Sequence, residues 1–425
     1  MKYLIKFIVL VLSLNKFCFG INCNSEDNSA ESRVKRLLFC NGYDSTVRPV
    51  KSHKTPTVIN AKMFIKNLDF NEHGSTLTLN VWMVNKWKDE FLKWDKSEYD
   101  NLKDIDVTSS TIWRPDFALF NADISYGIGS CHETSCYIAN NGDVICVEPC
   151  TYVAHCQSNY NSWPFDVQNC TMVFGPWMNS EDEIDYKVGN TSIDDADGLD
   201  TEWKLIQTGV TKKSISISSA NYPNLAYYFV IERHSALILR IIGASIVILI
   251  IINILAMSIN QEMNERFFLL IFNILLHFQT LHQLSWMIPH DGSTTPRILI
   301  FVRNSLITSC YLMLQSLVIR NMCLTESTPP DFIKSFVIFI KEKHLGLIVF
   351  GDDKENGKQT DENILIEPSE KTNSVNNKIW RNICSFLDRL SFLIVTALYV
   401  IMCFTLIPYQ YSTRTDILTL SPPPK

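Results

Sequence analysis

The sequence predicts an all-β extracellular sandwich domain followed by a four-helix transmembrane domain, with a cytoplasmic loop between the third and fourth helices. Short runs that alternate apolar and polar residues occupy the first half of the 425-residue chain, which is typical of half-buried strands. After Arg233 the composition changes abruptly, and four long apolar stretches follow. Each stretch is close to the length of about 20 residues that crosses a bilayer as a helix.

Residues 1–20 have the layout of a secretory signal peptide, with early lysines, an apolar run and a small residue at Gly20. We therefore expect the mature chain to begin near Ile21. Eight of the thirteen cysteines lie between that point and residue 230, in a segment that would face an oxidising compartment. This even number predicts disulfides there rather than metal sites.

Residues 21–233 are predicted to form the extracellular domain. Alternating runs such as 75–84 and 227–231 are separated by Asn, Gly, Asp and Pro, which favours antiparallel strands in a sandwich. Asn169 and Asn190 each begin an Asn-X-Ser/Thr acceptor. We expect both to carry sugars on the extracellular surface.

The predicted membrane part comprises residues 234–319, with three helices, and residues 386–408, with the fourth. The apolar stretches within them are 236–257, 267–288, 298–319 and 390–407.

Lysine and arginine are in excess in residues 320–385, which predicts a cytoplasmic loop. Within it, residues 336–350 are too short and too interrupted to span, so we expect a helix at the membrane or in the loop. An even number of spans after a cleaved signal would leave residues 409–425 as an extracellular tail.

The second apolar stretch carries a stripe of side chains that share one helical face, because their spacing is 4, 3, 4, 3 and 4. The stripe consists of Phe268, Phe272, Leu275, Gln279, His282 and Trp286. Two interpretations stay open: the stripe lines a pore, or it faces the helix bundle and its polar members bond neighbouring helices. Glu265 precedes it, either in a cation-attracting ring or as a solvated charge.

Several motifs follow one another in the chain. Cys156 and Cys170 enclose thirteen residues, which include a Trp-Pro-Phe-Asp tip ending at Asp166. Trp-Arg-Pro-Asp stands at 113–116, Tyr-Pro-Asn-Leu-Ala-Tyr-Tyr at 222–228 and Asp-Arg-Leu at 388–390. In this order the motifs resemble those of the pentameric Cys-loop ligand-gated channels, and most of all the nicotinic acetylcholine receptor branch.

The resemblance implies a Cys156–Cys170 disulfide and a ligand bound between neighbouring extracellular domains. An acetylcholine-like quaternary ammonium would be held by the faces of aromatic rings. The family's aromatic positions fall on Phe120, Trp177 and Tyr222 for the principal face of the site, and on Trp82 for the complementary face. For each of these side chains, burial in the core of the sandwich is the alternative.

The resemblance also implies roles in gating. Leu275 falls on the gate leucine and Glu265 on the acidic position that selects cations. In the family, the tip of the disulfide loop rests on the membrane domain near charges that fall here on Glu72 and Arg233. Together with Asp166 these charges would couple the ligand site to the gate.

Departures from the family pattern limit the assignment. Residues 214–221 lack the adjacent cysteines of alpha-type subunits, which predicts a divergent non-alpha, beta-like subunit. Phe268 and Phe272 stand where cation channels carry small residues, so a homopentamer would have a narrow apolar constriction prone to dewetting. The other cysteines, Cys131, Cys136, Cys146 and Cys150, are additional, and their pairing stays open.

We therefore expect a subunit of a neurotransmitter-gated cation channel at the plasma membrane, in a postsynaptic position. It would enter a heteropentamer with alpha-type partners and contact membrane lipid. The alternative is a non-conducting assembly or regulatory subunit. A net charge of −6 gives no footprint for nucleic acid. No phosphate loop, metal-ligand spacing or nucleophile motif is evident, so neither an enzyme nor a cofactor is expected.

Overall fold

A computed structural model describes residues 23, 27–123, 129–188, 192–193, 202–217, 220–289, 295–325, 330, 335 and 368–407. Two compact units divide the chain. The first comprises Met1–Ser158 and Val167–Arg233, and the second comprises Asn159–Asp166 and His234–Lys425. The second unit thus includes a short piece of chain that interrupts the first.

The first unit begins with helix α1, Ala30–Phe39, and continues as strands with two 3₁₀ turns at Lys96–Glu98 and Ser109–Thr111. The strands are β1 Thr57–Asn71, β2 Thr76–Lys88, β3 Asp104–Thr108, β4 Ala118–Leu119, β5 Ser130–Cys131, β6 Ser135–Ala139, β7 Asp143–His155, β8 Val167–Gly175, β9 Ile184–Val188, β10 Ser192–Ile193, β11 Trp203–Ile217 and β12 Ala220–Arg233.

These strands form two sheets, which confirms the predicted β-sandwich. The larger sheet has the order β10-β1-β2-β7-β6-β3, with β5 also on β7 and β9 also on β1. The smaller sheet has the order β11-β12-β8-β4. Along β1 buried and outward-facing residues alternate, because successive side chains of a strand point to opposite faces. Aromatic rings fill part of the core, where Phe174 lies 4.8 Å from Tyr152 and 5.6 Å from Tyr227 between centroids.

The eight described cysteines of the first unit all form disulfides. The pairs are Cys23–Cys40, Cys131–Cys150, Cys136–Cys146 and Cys156–Cys170. The second and third pairs join residues that stand directly opposite each other on neighbouring strands. Cys131–Cys150 links β5 to β7, and Cys136–Cys146 links β6 to β7.

Among its described residues, the second unit contains four helices that are long and apolar enough to cross a membrane, as predicted. They are α2 Ala236–Ser258, α3 Asn264–Met287, α4 Arg297–Cys323 and α5 Pro368–Leu406, of which Ile379–Leu406 is the membrane-length part.

Helix α5 begins well before residue 386, where the sequence predicted the start of the fourth helix. Its early part, residues 368–385, falls within the segment predicted as the cytoplasmic loop, and it is helical. The reason lies in a stripe at Trp380, Ile383, Cys384 and Leu387, spaced as one helical face and packed against the end of α4 at Met322.

Some predicted features lie outside the described residues. These are the signal peptide at 1–20, the acceptor Asn190, the helix at 336–350 and the tail at 409–425. Their assignments stay predictions.

Candidate functional site

Two of the predicted ligand-contact rings are neighbours at one end of the smaller sheet. The ring centroids of Phe120 and Trp177 are 6.0 Å apart, with planes inclined by 57°. Asp116 fixes the second ring, because its Oδ2 accepts hydrogen bonds from the backbone N–H groups of Trp177 at 2.7 Å and Met178 at 3.3 Å. Trp177 is 57% exposed. A ring in this position is available to a ligand, which the alternative of a core residue would not allow.

The backbone at Asp116 is in turn fixed by a hydrogen bond from Tyr186. The hydroxyl of this buried tyrosine donates to the Asp116 carbonyl at 2.5 Å. Burial, followed by the nearby Asp116 charge, raises the pKa of Tyr186 well above its ordinary value. The hydroxyl therefore remains a donor at physiological pH.

Gly175 at the end of β8 allows Phe120 to lie close to this strand. A Cβ at position 175 would stand 2.9 Å from the Phe120 ring and 2.7 Å from Asn224 Oδ1. No side chain fits there without displacing its neighbours. The glycine thus sets the depth at which the Phe120 ring sits beside Trp177.

The third predicted ring, Tyr222, is partly exposed on β12. The last β8–β12 pair is Phe174 with Leu225, and both Trp177 and Tyr222 lie three residues beyond it, at the same end of the strands. The β11–β12 hairpin is tied to the segment after β8, because Ser214 Oγ donates to Glu181 Oε2 at 3.1 Å. The three predicted principal-face rings therefore lie at one end of one sheet.

The predicted complementary-face ring, Trp82, is on the other sheet and is 47% exposed. A cation already lies on it: Lys66 Nζ is 3.7 Å from the centroid of the indole ring. Sequence reasoning missed Lys66, because the strand register that brings β1 beside Trp82 was not known.

The additional disulfides lie behind Trp82. Trp82 stands opposite Pro149 of β7. Close to Pro149 in the same strand, Cys146 and Cys150 point to the opposite, buried face. Between these two cysteines, Glu148 accepts a hydrogen bond from Arg114 at 2.9 Å. The disulfides therefore stiffen the strand that supports the Trp82 surface.

Two of the predicted coupling residues are in direct contact in the first unit. Arg233, which is 1% exposed, forms a salt bridge with Glu72 and a second, at 3.3 Å, with Glu202. Its guanidinium carbon also lies 4.3 Å from the centroid of Trp203, which stands opposite Arg233 on β11. Glu202 and Trp203 were not identified from the sequence, although the β11–β12 hairpin register would have placed them there.

The third coupling residue, Asp166, lies in the second unit and is 1% exposed. It ends the tip of the Cys156–Cys170 loop, whose backbone contacts the start of α4: Asn161 O accepts from Arg297 N at 3.1 Å. Asn169, which directly precedes Cys170, is exposed, as its predicted glycosylation requires.

Every residue of the predicted stripe on α3 is exposed, as is Glu265. The exposed fraction is 72% for Phe268, 61% for Leu275 and 74% for Trp286. The stripe therefore does not face the helices of its own chain, and that interpretation is wrong. Its pore-lining role stays a prediction.

The opposite face of α3 carries polar residues that bond the other helices. His277 Nε2 and Ser305 Oγ are 2.8 Å apart, and Ser305 Oγ is 2.8 Å from the Tyr399 hydroxyl on α5. Asn253 on α2 donates to the same hydroxyl at 2.5 Å. Asn273 donates to the carbonyl of Leu249 on α2 at 3.3 Å and to Ser309 on α4 at 3.4 Å. We call these six polar residues the inter-helix network: Asn253, Asn273, His277, Ser305, Ser309 and Tyr399.

A buried ion pair joins the beginning of α3 to α5. Arg266, fully buried, donates to both carboxylate oxygens of Asp388, at 2.7 and 2.9 Å. It also donates to the carbonyl of Ile259 at 3.4 Å. Arg266 therefore points into the helix bundle, while its neighbour Glu265 points away from it.

A β-sandwich with this disulfide loop, followed by four membrane-length helices, is the architecture of a ligand-gated channel subunit. Residues 31–235 match the family described as neurotransmitter-gated ion-channel ligand binding domain. This match, together with the similarity to curated receptor subunits described next, supports assignment to the pentameric Cys-loop ligand-gated channels, a family of ion channels and not of enzymes.

Among curated proteins, the chain is similar to neuronal acetylcholine receptor subunits. It is 28% identical to the alpha-4 subunit of Gallus gallus over 358 residues, covering 81% of this chain and 56% of the relative. It is 34% identical to the alpha-2 subunit of Mus musculus over 209 residues, covering 48% and 40%. It is 28% identical to the alpha-2 subunit of Gallus gallus over 321 residues, covering 73% and 60%.

The chain thus spans about half the length of the curated relatives it matches. These relatives are alpha subunits by name, so the beta-like assignment stays a prediction.

Proposed function

We propose that this chain is a non-alpha, beta-like subunit of an acetylcholine-gated cation channel, assembled in a heteropentamer with alpha-type subunits. The observation that carries the proposal is the exposed stripe of α3, which begins beside Glu265 and contains Leu275. A face that its own bundle leaves uncovered is available to line a shared axis. An acidic ring near one end would attract cations.

Alpha-type partners are proposed because the principal face of this chain departs from the family pattern. Phe120 offers a ring without a hydroxyl, and residues 203–233 contain no cysteine. Partners would supply the principal face, while this chain would contribute the complementary face with Trp82. The ligand would be an acetylcholine-like quaternary ammonium, held by ring faces with about 2 kcal/mol or more when desolvated.

The proposed setting is the plasma membrane at a postsynaptic site, with both termini outside the cell and membrane lipid around the helices. Arg233 would serve gating through its contacts with Glu72, because a buried charge with two carboxylate partners can exchange between alternative pairings. Asp166 would act with it.

A second function, a non-conducting or regulatory subunit, is favoured by one observation. Phe268 and Phe272 are 72% and 52% exposed on the stripe, one turn apart. Each subunit would project these two phenyl rings toward a shared axis, where apolar constrictions exclude water.

Co-expression with alpha-type subunits in oocytes separates the two functions. For a conducting subunit, Glu265→Gln lowers cation conductance and Phe268→Ser with Phe272→Ser changes conductance and relative permeability. Phe278→Ser is the matched control, because Phe278 is 58% exposed on α3 but lies off the stripe. If none of the stripe substitutions alters currents that depend on this chain, the stripe does not line the pore.

For a non-conducting subunit, co-expression suppresses current while surface assembly persists. Replacing both phenylalanines then restores current, and the Phe278 variant does not.

A further inference from the structure

A single side chain, Lys66, covers the exposed ring at the centre of the predicted complementary face. Its ammonium nitrogen lies 3.7 Å from the Trp82 ring centroid, well within the ~6 Å over which a cation is attracted to an aromatic face. This is the position that the proposed function assigns to the ammonium group of a ligand. The chain thus supplies its own cation to that ring.

Lys66 lies at a β-bulge on the face of β1 that adjoins Trp82. The β1–β2 register pairs Ile65 with Val81 and then Asn67 with Asn80, so Lys66 is the extra residue between two paired positions. Because successive side chains of β1 alternate between the two faces, Lys66 lies on the same outward face as Lys62 and Phe64, and Phe64 stands directly opposite Trp82. Bulges are frequent beside binding sites.

The surface around Trp82 carries further positive charge. Lys62 lies four residues earlier on β1 and is exposed, and Lys86 lies four residues later on β2 and is exposed. Both face outward in the same alternation as Trp82. Because like charges repel, this surface disfavours a second cation even where the ring is accessible.

We infer that Lys66 is a specificity-determining residue, a tethered cation that competes with quaternary ammonium ligands for the face of Trp82. The inference rests on the proposed function, because it concerns the same complementary face. A competitor on the same chain acts at a high effective concentration that does not fall as the protein is diluted. Removing it should therefore uncover the ring at every protein concentration.

The test uses the full chain in nanodiscs and tetramethylammonium as the probe, with binding followed by saturation-transfer NMR of its methyl protons. Lys66→Met keeps an apolar stem and removes the charge, and it should tighten binding about fivefold, the factor expected for a partly exposed cation–π contact. Lys62→Met is the matched control on the same strand and the same face. It should tighten binding less than twofold, because only a more distant charge is lost.

Adding Trp82→Leu to Lys66→Met should abolish the gain, since the uncovered ring is then gone. The inference is overturned if Lys66→Met binds tetramethylammonium no better than the unchanged chain. It is also overturned if the gain survives loss of the ring or is matched by Lys62→Met.

Failure here and failure of the proposed function are distinguishable, because the binding measurement needs neither a partner subunit nor an open pore. Normal currents on co-expression with no gain in Lys66→Met would reject the tethered cation alone. A ring-dependent gain without any effect of the stripe substitutions on current would reject the channel role and leave the tethered cation standing.

Discussion

The ion pair between Arg266 and Asp388 should be among the most important polar contacts of the membrane unit. Arg266 is fully buried and Asp388 is 16% exposed at its side chain, and two hydrogen bonds join them. Asp388→Asn would leave the guanidinium charge buried without its counter-charge. Breaking a buried pair from one side costs about 3–5 kcal/mol, because the remaining charge stays desolvated.

The assay is the apparent Tm of the purified full-length chain in detergent, together with its surface expression. At roughly 2–4 °C per kcal/mol for a domain of this size, Asp388→Asn should lower the apparent Tm by about 10 °C. The matched control is Glu262→Gln, which breaks an exposed pair with Arg381 whose N and O atoms are 3.6 Å apart. An exposed pair contributes about 0–1 kcal/mol, so the control should change Tm by no more than about 4 °C.

A double variant, Arg266→Met with Asp388→Leu, provides the decisive comparison. Since it removes both charges, it should be more stable than Asp388→Asn alone. If Asp388→Asn and Glu262→Gln have the same small effect, or if the double variant is the less stable of the two, the reasoning from the uncompensated buried charge is refuted.

Three further predictions concern other described residues. Tyr399→Phe removes the hydroxyl shared by two helices of the inter-helix network and should cost about 1–3 kcal/mol, measured as a loss of apparent Tm; an unchanged Tm would contradict this. Charge reversal in Arg233→Glu should abolish surface assembly or agonist-evoked current of the co-expressed channel, whereas Glu202→Gln, at an exposed partner, should change little; normal currents from the Arg233 variant would reject its role. Burial raises the pKa of the Asp89 carboxyl, so its protonated form is favoured in the native chain; the stability this contributes is complete below about pH 4 and lost as the pH rises through the native pKa. The pH dependence of Tm should therefore weaken in that window in Asp89→Asn, and an identical profile would contradict it.

Local patterns were sufficient to predict the sandwich, the four helices and the residues that share one face of α3, but not the direction in which that face points. A period of two or of 3.6 residues depends only on neighbours in the chain, and a bilayer sets helix length directly. The stripe from Phe268 to Trp286 is exposed because the same helix carries Asn273 and His277 on its other face. The helix period therefore identified the residues of the stripe, whereas its exposure is known only from the structure.

Contacts between distant segments could not be read in this way. The lysine over Trp82 depends on the pairing of β1 with β2, and composition does not reveal which residues of two strands stand opposite each other. Likewise, Asn273 and His277 could be recognised as polar residues in a span, but their partners lie on other helices. The early start of α5 was missed because its buried stripe has meaning only beside the end of α4.

The inter-helix network has a consequence for the angular setting of α3. Both sides of this helix are rich in large apolar side chains, such as Leu270 inside and Leu275 outside, so apolar burial alone distinguishes its rotations poorly. The directional bonds of Asn273 and His277 are satisfied at one azimuth only, since a shift by one residue turns every side chain by about 100°. The orientation of the exposed stripe is thereby set by side chains on the opposite face of the helix, which are not part of the stripe.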